Sequence, residues 1–239
     1  MKKLERNMKN IDNHFGQNKI NPTVLCDFDD TSAIQNVADL VLTKSPKGVR
    51  KELKKDYRSG LIGLREYQEQ SFFESEITEQ QIHSIVSRDA ILRGGFVELW
   101  QYCKTQSVPM AIVTHGLHTY VTPLLSKFGL ETVPIYGVET QFFDRGIDFF
   151  YKYSSDTCFA WGNCKCLVLE KYRTISNYII YVGDGKSDFC PAKKADLVFA
   201  KDALYEHLKN EGISCIPFDN FEIVKTTLMK LLGEVEKVQ

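Results

Sequence analysis

Thr23-Val-Leu-Cys-Asp-Phe-Asp-Asp-Thr31 decides the fold: an apolar β-run ends abruptly in three carboxylates within four residues. Thr23–Cys26 carries no charge and no turn former, as a strand covered on both faces would read. Asp27, Asp29 and Asp30 then crowd like charge, which raises carboxyl pKa values unless a cation sits among them. Asp27 and Asp29 stand two apart where the chain leaves extended geometry, so both can face one site. A lone Asp here would read as the cap of a turn or helix. Three acids closing a buried strand point instead to a place where a cation or a proton is handled.

Outward from this stretch the pattern repeats. Met110–Val113 is a second apolar run, ending at Thr114, and Tyr178–Val182 a third, ending in Gly183-Asp184-Gly185. Leu197–Ala200 and Cys215–Phe218 are shorter candidates. Helical periodicity falls between them, over about 95–106, 119–129, 164–175, 186–193, 202–212 and 219–232. Alternating strand and helix predicts an α/β fold, a Rossmann-like three-layer core around a parallel sheet.

Residues 33–88 interrupt that rhythm with helical sequence and almost no strand pattern; Ser45-Pro46 reads as a helix start and Ser59-Gly60 as a stop. Helices inserted between the first two strands would sit over the carboxyl ends of the strands, where open α/β sheets bind ligands. The expected division is an N-terminal extension at 1–19, a core at 20–32 and 89–239, and a helical cap at 33–88. Lys47–Arg58 reads as an amphipathic helix with Val49, Leu53 and Tyr57 at helical spacing, whose basic side could attract anions. Residues 131–163 are expected to form a β-excursion with a turn at Asp144-Arg145-Gly146, and Phe142, Phe143 and Trp161 to pack in the core.

The 239 residues carry a formal net charge of -1, with 43% hydrophobic and 26% charged residues. That is the profile of a globular protein with a sizeable core, and it argues against nucleic acid or a membrane surface as partner. No run of apolar residues is long enough for a membrane span. The first 19 residues begin basic but lack the apolar stretch of a secretory signal, so a cytoplasmic location is expected. The seven cysteines then read as reduced thiols. Cys158, Cys164 and Cys166 lie close in sequence, but no CxxC pair or nearby His completes a zinc set. Oligomeric state is not written in the sequence.

Three more motifs sit at predicted element ends. In Ile112-Val-Thr-His-Gly116, the Thr114 hydroxyl and the N–H groups after it could hold a phosphate or oxyanion, while His115 and His118 read as local polar residues. Lys165, at a predicted helix start, matters only if it faces the acidic cluster. Gly183-Asp-Gly-Lys-Ser-Asp188 places two carboxylates four apart at a strand-to-helix turn, which suits a hard cation with oxygen ligands. Neither a P-loop nor a dinucleotide fingerprint fits, since Ile180 and Asp188 occupy positions that need Gly. Together these groups supply a carboxylate nucleophile, a second carboxyl to move protons, a cation site and positive charge for phosphoryl oxygens.

With these motifs in this order, the chain resembles the haloacid dehalogenase superfamily of phosphatases over roughly 22–220. Asp27–Thr31 looks like its first motif, Ile112–Gly116 its second, Lys165 its third and Gly183–Asp188 its fourth. The insertion matches the cap position of the phosphoserine-phosphatase-like branch. Arg93-Gly-Gly-Phe96 and the segments around the second and fourth motifs are similar to the MtnX-like branch, which includes a phosphatase acting on 2-hydroxy-3-keto-5-methylthiopentenyl-1-phosphate. The resemblance implies a Mg²⁺-dependent phosphatase acting on a small phosphorylated metabolite through an aspartyl-phosphate. It implies Asp27 as nucleophile and Asp29 as acid and base. Mg²⁺ would sit on the Asp27 side chain, the Asp29 backbone carbonyl and Asp184, with Asp188 in support. Phe28, Thr114, His115 and Lys165 would meet the phosphate. Two positions depart from the pattern: Thr114-His115-Gly116 stands where Ser-Gly is usual, and Asn36 stands where phosphoserine phosphatases carry Glu. Phosphoserine phosphatase is the runner-up reading, and a non-catalytic phospho-ligand-binding or receiver-like module the alternative from another class. Receivers are shorter, and their Lys follows the last acidic site, whereas Lys165 precedes it.

Overall fold

A computed structural model describes residues 20–144 and 146–234. The expected extension at 1–19, and Arg145 of the expected turn, lie outside the described residues. Among the described residues seven strands form one sheet: β1 Pro22–Cys26, β2 Met110–Leu117, β3 Ile135–Phe143, β4 Gly146–Phe150, β5 Tyr178–Gly183, β6 Leu197–Ala200 and β7 Ile216–Pro217. Four helices, α1 Val37–Thr43, α2 Lys51–Ser59, α3 Leu64–Ser75 and α4 Glu79–Asp89, come between β1 and β2 with α5 Phe96–Thr105. Then follow α6 His118–Ser126, α7 Lys165–Arg173, α8 Phe189–Lys194, α9 Asp202–Asn210 and α10 Phe221–Leu231.

The strand order is β4-β3-β2-β1-β5-β6-β7, parallel throughout except for the β3–β4 hairpin. β1 lies in the middle, with Cys26 level with Ile112 on one side and Val182 on the other. The chain therefore runs from β1 to one neighbour and returns to the other. That is the switch point at which an open α/β sheet leaves a crevice beyond its carboxyl edge.

The two-residue period of the strands sorts side chains into two cores. Val24, Cys26, Ile112, Ile180 and Val182 face Phe96 and Leu99 of α5, Tyr120 and Leu124 of α6 and Phe221 and Leu228 of α10. Leu25, Ala111, Val113, Ile179 and Tyr181 face Val168 and Leu169 of α7, Ala192 of α8 and Leu204 and Leu208 of α9. Helices on both faces make the three layers, and each fully buried Val or Leu of β1 contributes about 1.5–3 kcal/mol.

The helical insertion α1–α4 leaves and re-enters the core at one neck. Ala33 and Leu92 form an isolated bridge, Ile34 N donates to Ile91 O at 2.9 Å, and Arg93 N donates to Ser32 O at 2.8 Å. Thr78 and Gln81 close a capping box that starts α4, which packs on α6. α3 packs against the turn Asp156–Trp161 and β4.

Two local expectations change. Ser45-Pro46 does not open a helix: Ser45 Oγ donates to Leu42 O and accepts from Gly48 N, closing a turn after α1, and α2 begins at Lys51. α2 does end at Ser59, with Gly60 in the left-handed region at φ 78°. The expected helix over 186–193 is a short turn, Lys186–Asp188, followed by α8, because the Asp188 carboxylate is drawn back to the N–H groups of Asp184 and Gly185. The expected β-excursion forms the hairpin β3–β4, and β3 pairs with β2, so that the hairpin extends the main sheet.

Candidate active site

The end of β1 is built first by the backbone. Asp27 N donates to Val182 O at 2.9 Å, carrying the β1–β5 ladder one residue past the strand. The chain then makes a wide turn over Phe28–Ser32, closed by Ser32 Oγ donating to Asp27 O at 2.6 Å and Ala33 N to Phe28 O at 2.9 Å. Asp30 pays for that turn with a left-handed backbone, φ 59°. Arg93 holds it from the other side, donating Nε to Thr31 O and Nη2 to Asp30 O, each at 2.6 Å, and Lys201 Nζ reaches Asp30 O at 3.1 Å.

Lys165, the first residue of α7 and almost fully buried, places Nζ 2.7 Å from both Asp27 Oδ1 and Asp188 Oδ1. Asp188 also accepts from Tyr181 Oη at 2.7 Å and from Asp184 N and Gly185 N at 3.0 Å each. Gly183 is required by this close approach, since a Cβ there would stand 2.6 Å from the Asp188 carboxyl carbon. Thr31 Oγ1 donates to Asp184 Oδ1 at 2.7 Å. One carboxylate oxygen from each of Asp27, Asp184 and Asp188 lies within 4.8 Å of the others.

Charge in this cluster is unbalanced. Burial and then the neighbouring Asp188 push the Asp27 carboxyl well above the ordinary range, against the pull of Lys165. Burial and Asp188 likewise raise Asp184 to about 6. Burial also acts to raise Asp188, but Lys165, Tyr181 and the Gly185 N–H outweigh it and hold that carboxyl low. Three carboxylates against one ammonium, all oxygen donors, fit a hard divalent cation, which would restore Asp27 to its ionised form.

Asp29 is engaged elsewhere. Its Oδ1 accepts from Val37 N at 2.7 Å and Ala38 N at 3.3 Å, and its Oδ2 from Tyr120 Oη at 2.9 Å. Its carboxylate is thus outside the three-carboxylate cluster. Burial raises it to about 6, although all three donors favour the ionised form. Gly116 makes room for this contact: a Cβ there would meet Tyr120 Oη at 2.1 Å.

Asp27, Asp29, Thr114, His115, Lys165 and Asp184 line one cavity of about 380 Å³ between the sheet edge and the insertion. Thr114 Oγ1 accepts from Gly116 N at 2.9 Å. His115 is buried, its ring tilted against Trp161 at 5.6 Å, and burial and then the Lys165 charge lower it to about 3, so it is a neutral imidazole. Phe28 is fully buried, and its N–H donates to Asp27 Oδ1 at 2.7 Å. His118 Nε2 pairs with Ile135 O at 3.0 Å, a local contact. Trp161, expected in the core, instead forms part of the cavity wall, and Phe143 is half exposed on the hairpin.

The insertion supplies the far wall. Leu42, Leu64 and Phe72 and the stacked rings of Tyr57 and Tyr67, 4.7 Å apart, make an apolar surface. Asn36, Arg58 and the ion pair Lys54–Asp39 at 3.0 Å add polar groups. The basic helix α2 thus presents Lys54, Tyr57 and Arg58 to the cavity and buries Leu53. Tyr120, Tyr181 and Arg93 were not expected as partners of the acidic residues. Tyr120 and Arg93 reach Asp29 and Asp30 across 91 and 63 residues, whereas Tyr181 reaches Asp188 from seven residues back, out of a run that reads only as an apolar strand.

The sequence profile of a family described as Putative Phosphatase matches residues 23–209. The 2-hydroxy-3-keto-5-methylthiopentenyl-1-phosphate phosphatase of Bacillus velezensis is 29% identical over 220 residues, covering 90% of this chain and 92% of its own. The protein of the same name from Lysinibacillus sphaericus is 28% identical over 218 residues, covering 84% of this chain and 90% of its own. Among solved structures, a phosphoserine phosphohydrolase-like protein from Francisella tularensis superposes with a TM-score of 0.63 at 22% identity, over 87% of this chain and 99% of its own. A HAD family hydrolase from Salmonella enterica gives a TM-score of 0.67 at 17% identity, over 92% of this chain and 73% of its own. With the profile match running from β1 through α9, the chain belongs to the Putative Phosphatase family and is a phosphoric monoester hydrolase whose fold is that of a HAD family hydrolase.

Proposed function

We propose that Asp27 is the nucleophile of this phosphatase, forming an aspartyl-phosphate, and that the substrate is a small phosphomonoester of the 2-hydroxy-3-keto-5-methylthiopentenyl-1-phosphate kind. The observation that carries the mechanism is the division between two carboxyls at the end of β1. Asp27 faces Lys165 and the acidic cluster, while Asp29 is held apart by Tyr120 and two backbone N–H groups. Two carboxyls in different surroundings can take different roles, one attacking and one exchanging a proton. Asp29, raised to about 6, can protonate the leaving oxygen and then accept a proton from water.

Lys165 and Thr114 would meet the non-reacting phosphoryl oxygens, with Asp188 fixing Lys165 from behind. Asp27, Asp184 and the Asp29 carbonyl would hold Mg²⁺, which supplies positive charge to the phosphate and keeps Asp27 ionised. The insertion acts as a cap at 33–88: its apolar wall meets the tail of the leaving group and excludes bulk water. The names of the curated relatives support the substrate class, and so does an apolar rather than acidic leaving-group wall.

The test is to quench the enzyme in acid during turnover and map the phosphoryl adduct. An adduct on the peptide containing Asp27, absent in Asp27→Asn together with turnover, supports the reading. Losing a nucleophile that works in concert with its neighbours costs on the order of 10³-fold or more. Near-wild-type turnover in Asp27→Asn overturns it.

A further inference from the structure

Cys158, Cys164 and Cys166 are neighbours in sequence, but Cys166 takes a partner from another helix. Its Sγ lies 3.1 Å from Sγ of Cys190. Cys166 directly follows Lys165 in the first turn of α7, and Cys190 is the second residue of α8, two after Asp188. The two thiols therefore sit one step behind the Lys165–Asp188 ion pair, one on each of the helices that leave it. Neither lines the substrate cavity. Cys166 is buried and Cys190 exposed. Among the described residues the acidic cluster is the one group of three or more metal-binding side chains, so this thiol pair is not part of a zinc set. A bond length of about 2.05 Å asks for roughly 1 Å of further approach.

We propose that Cys166 and Cys190 are an oxidation site, converted by a peroxide into a reversible disulfide that ties α7 to α8 directly behind Lys165 and Asp188. The exposed Cys190 reacts first. Its thiolate attacks one peroxide oxygen, the O–O bond breaks, and the departing hydroxide takes up the thiol proton and leaves as water. That step leaves a sulfenic acid on Cys190. Cys166 sulfur then attacks the Cys190 sulfur, the S–O bond breaks, and a second water leaves with the Cys166 proton. Two thiols lose two electrons in all, and one peroxide becomes two waters.

The consequence follows from where the bond forms. Closing the pair shifts the first turn of α7, which carries the Lys165 ammonium that bridges Asp27 and Asp188 at 2.7 Å each. Misplacing a positioned group by about 1 Å can cost up to about 10²-fold, and the shift at Lys165 is a fraction of that, so kcat is expected to fall about tenfold.

The experiment treats the full chain with hydrogen peroxide, follows hydrolysis of a generic phosphomonoester, and maps non-reduced peptides by mass. The expected result is one cross-link joining Cys166 to Cys190, a fall in kcat with the same time course, and recovery of both on adding dithiothreitol. Cys190→Ser should keep its starting activity and show neither change. Cys158→Ser, which removes the thiol hydrogen-bonded to Cys164, should show both. Cys190 appearing only as a sulfinic acid with Cys166 still reduced overturns the disulfide. A cross-link between Cys158 and Cys164 that alone tracks the activity loss overturns the assignment. The Cys166–Cys190 cross-link with unchanged kcat overturns its connection to Lys165. The cross-link is read by mass, so its failure is distinct from any failure of the proposed substrate or nucleophile.

Discussion

Tyr120 donates its phenolic hydroxyl to Asp29 Oδ2 at 2.9 Å, from a ring that is 1% exposed. The contact spans two elements, the first turn of α6 and the turn after β1, and it settles how the two carboxyls of Asp27-Phe28-Asp29 divide. Asp27 enters the field of Lys165 and two further carboxylates, whereas Asp29 is turned to neutral donors. Ring packing supports the arrangement, since Phe28 and Phe72 lie 6.0 and 6.4 Å from Tyr120, centroid to centroid.

Tyr120→Phe should move the pH profile and not only the rate. The phenol donates to the ionised carboxylate, so it opposes the upward push of burial that brings Asp29 to about 6. Without the donor the carboxyl titrates higher. An acid that must start protonated then stays protonated further into the alkaline side, and the alkaline limb of kcat/KM moves to higher pH. A hydrogen bond to a charged group is worth about 1.5–3 kcal/mol, so a shift of about 1 pH unit is expected. A lower plateau with the limb unmoved would show that Tyr120 only supports packing.

Asp188→Ala should destabilise the apo protein more than any single surface change. It strips Lys165 of one of its two carboxylate partners and leaves the Tyr181 hydroxyl and two backbone N–H groups without their acceptor. Removing one partner of a buried ion pair typically costs about 3–5 kcal/mol. Urea denaturation monitored by circular dichroism measures it. A loss below about 1 kcal/mol, the scale of exposed pairs, would contradict the burial of this network.

How much of this was legible depends on range along the chain. Thr23–Thr31 and Tyr178–Asp188 carry their meaning locally, as an apolar run followed by acid, and the parallel pairing of β1 with β5 follows from that pattern. By its own spacing Lys165 was legible as a helix start, and only the resemblance gave it a place at the phosphate; that its ammonium reaches Asp27 depends on α7 packing beside β5. Tyr120 and Asp29 are 91 residues apart, and Arg93 reaches back 63 residues to Asp30, so neither contact has a spacing to read. Trp161 looked like core because an aromatic residue near a strand usually is, yet it closes the cavity against His115. Ser45-Pro46 failed for a local reason: the Ser45 hydroxyl was taken by the turn after α1 before it could cap a helix.

Activity should disappear with a chelator and return with Mg²⁺. Asp27, Asp184 and Asp188 crowd within 4.8 Å, and Asp188 adds to the burial that raises the other two, so a phosphate joining them without a cation would add to the repulsion. Mg²⁺ should also raise Tm by mass action, a readout independent of turnover. Ca²⁺ should raise Tm but support little hydrolysis, because its larger and looser shell places the nucleophile less well. Full activity in excess chelator would exclude this use of the acidic cluster.

Phosphoserine should be a poor substrate beside neutral or enol phosphomonoesters, and the reason lies at the start of α1. Asn36 lines the cavity at the position where the resemblance to phosphoserine phosphatases leads one to expect a Glu for the substrate ammonium. Its side chain is already committed, with Oδ1 accepting from Asp39 N at 2.9 Å as the helix cap and Nδ2 donating to Asp30 Oδ2 at 3.2 Å. The other carboxylate on that wall, Asp39, is paired with Lys54 at 3.0 Å, and Glu66 accepts from Gln70 and is not part of the wall. An ammonium entering here sheds water without gaining a free partner, which is unfavourable for a charged group. Comparison of kcat/KM across a panel of phosphorylated metabolites measures the effect. Phosphoserine should rank below phosphomonoesters with apolar tails, which can use Leu42, Leu64, Phe72 and the Tyr57–Tyr67 stack. Asn36→Glu should raise phosphoserine relative to the rest while costing about 1 kcal/mol of stability through the altered cap. If phosphoserine leads the panel and Asn36→Glu does not improve it further, the substrate reading fails even with the nucleophile intact.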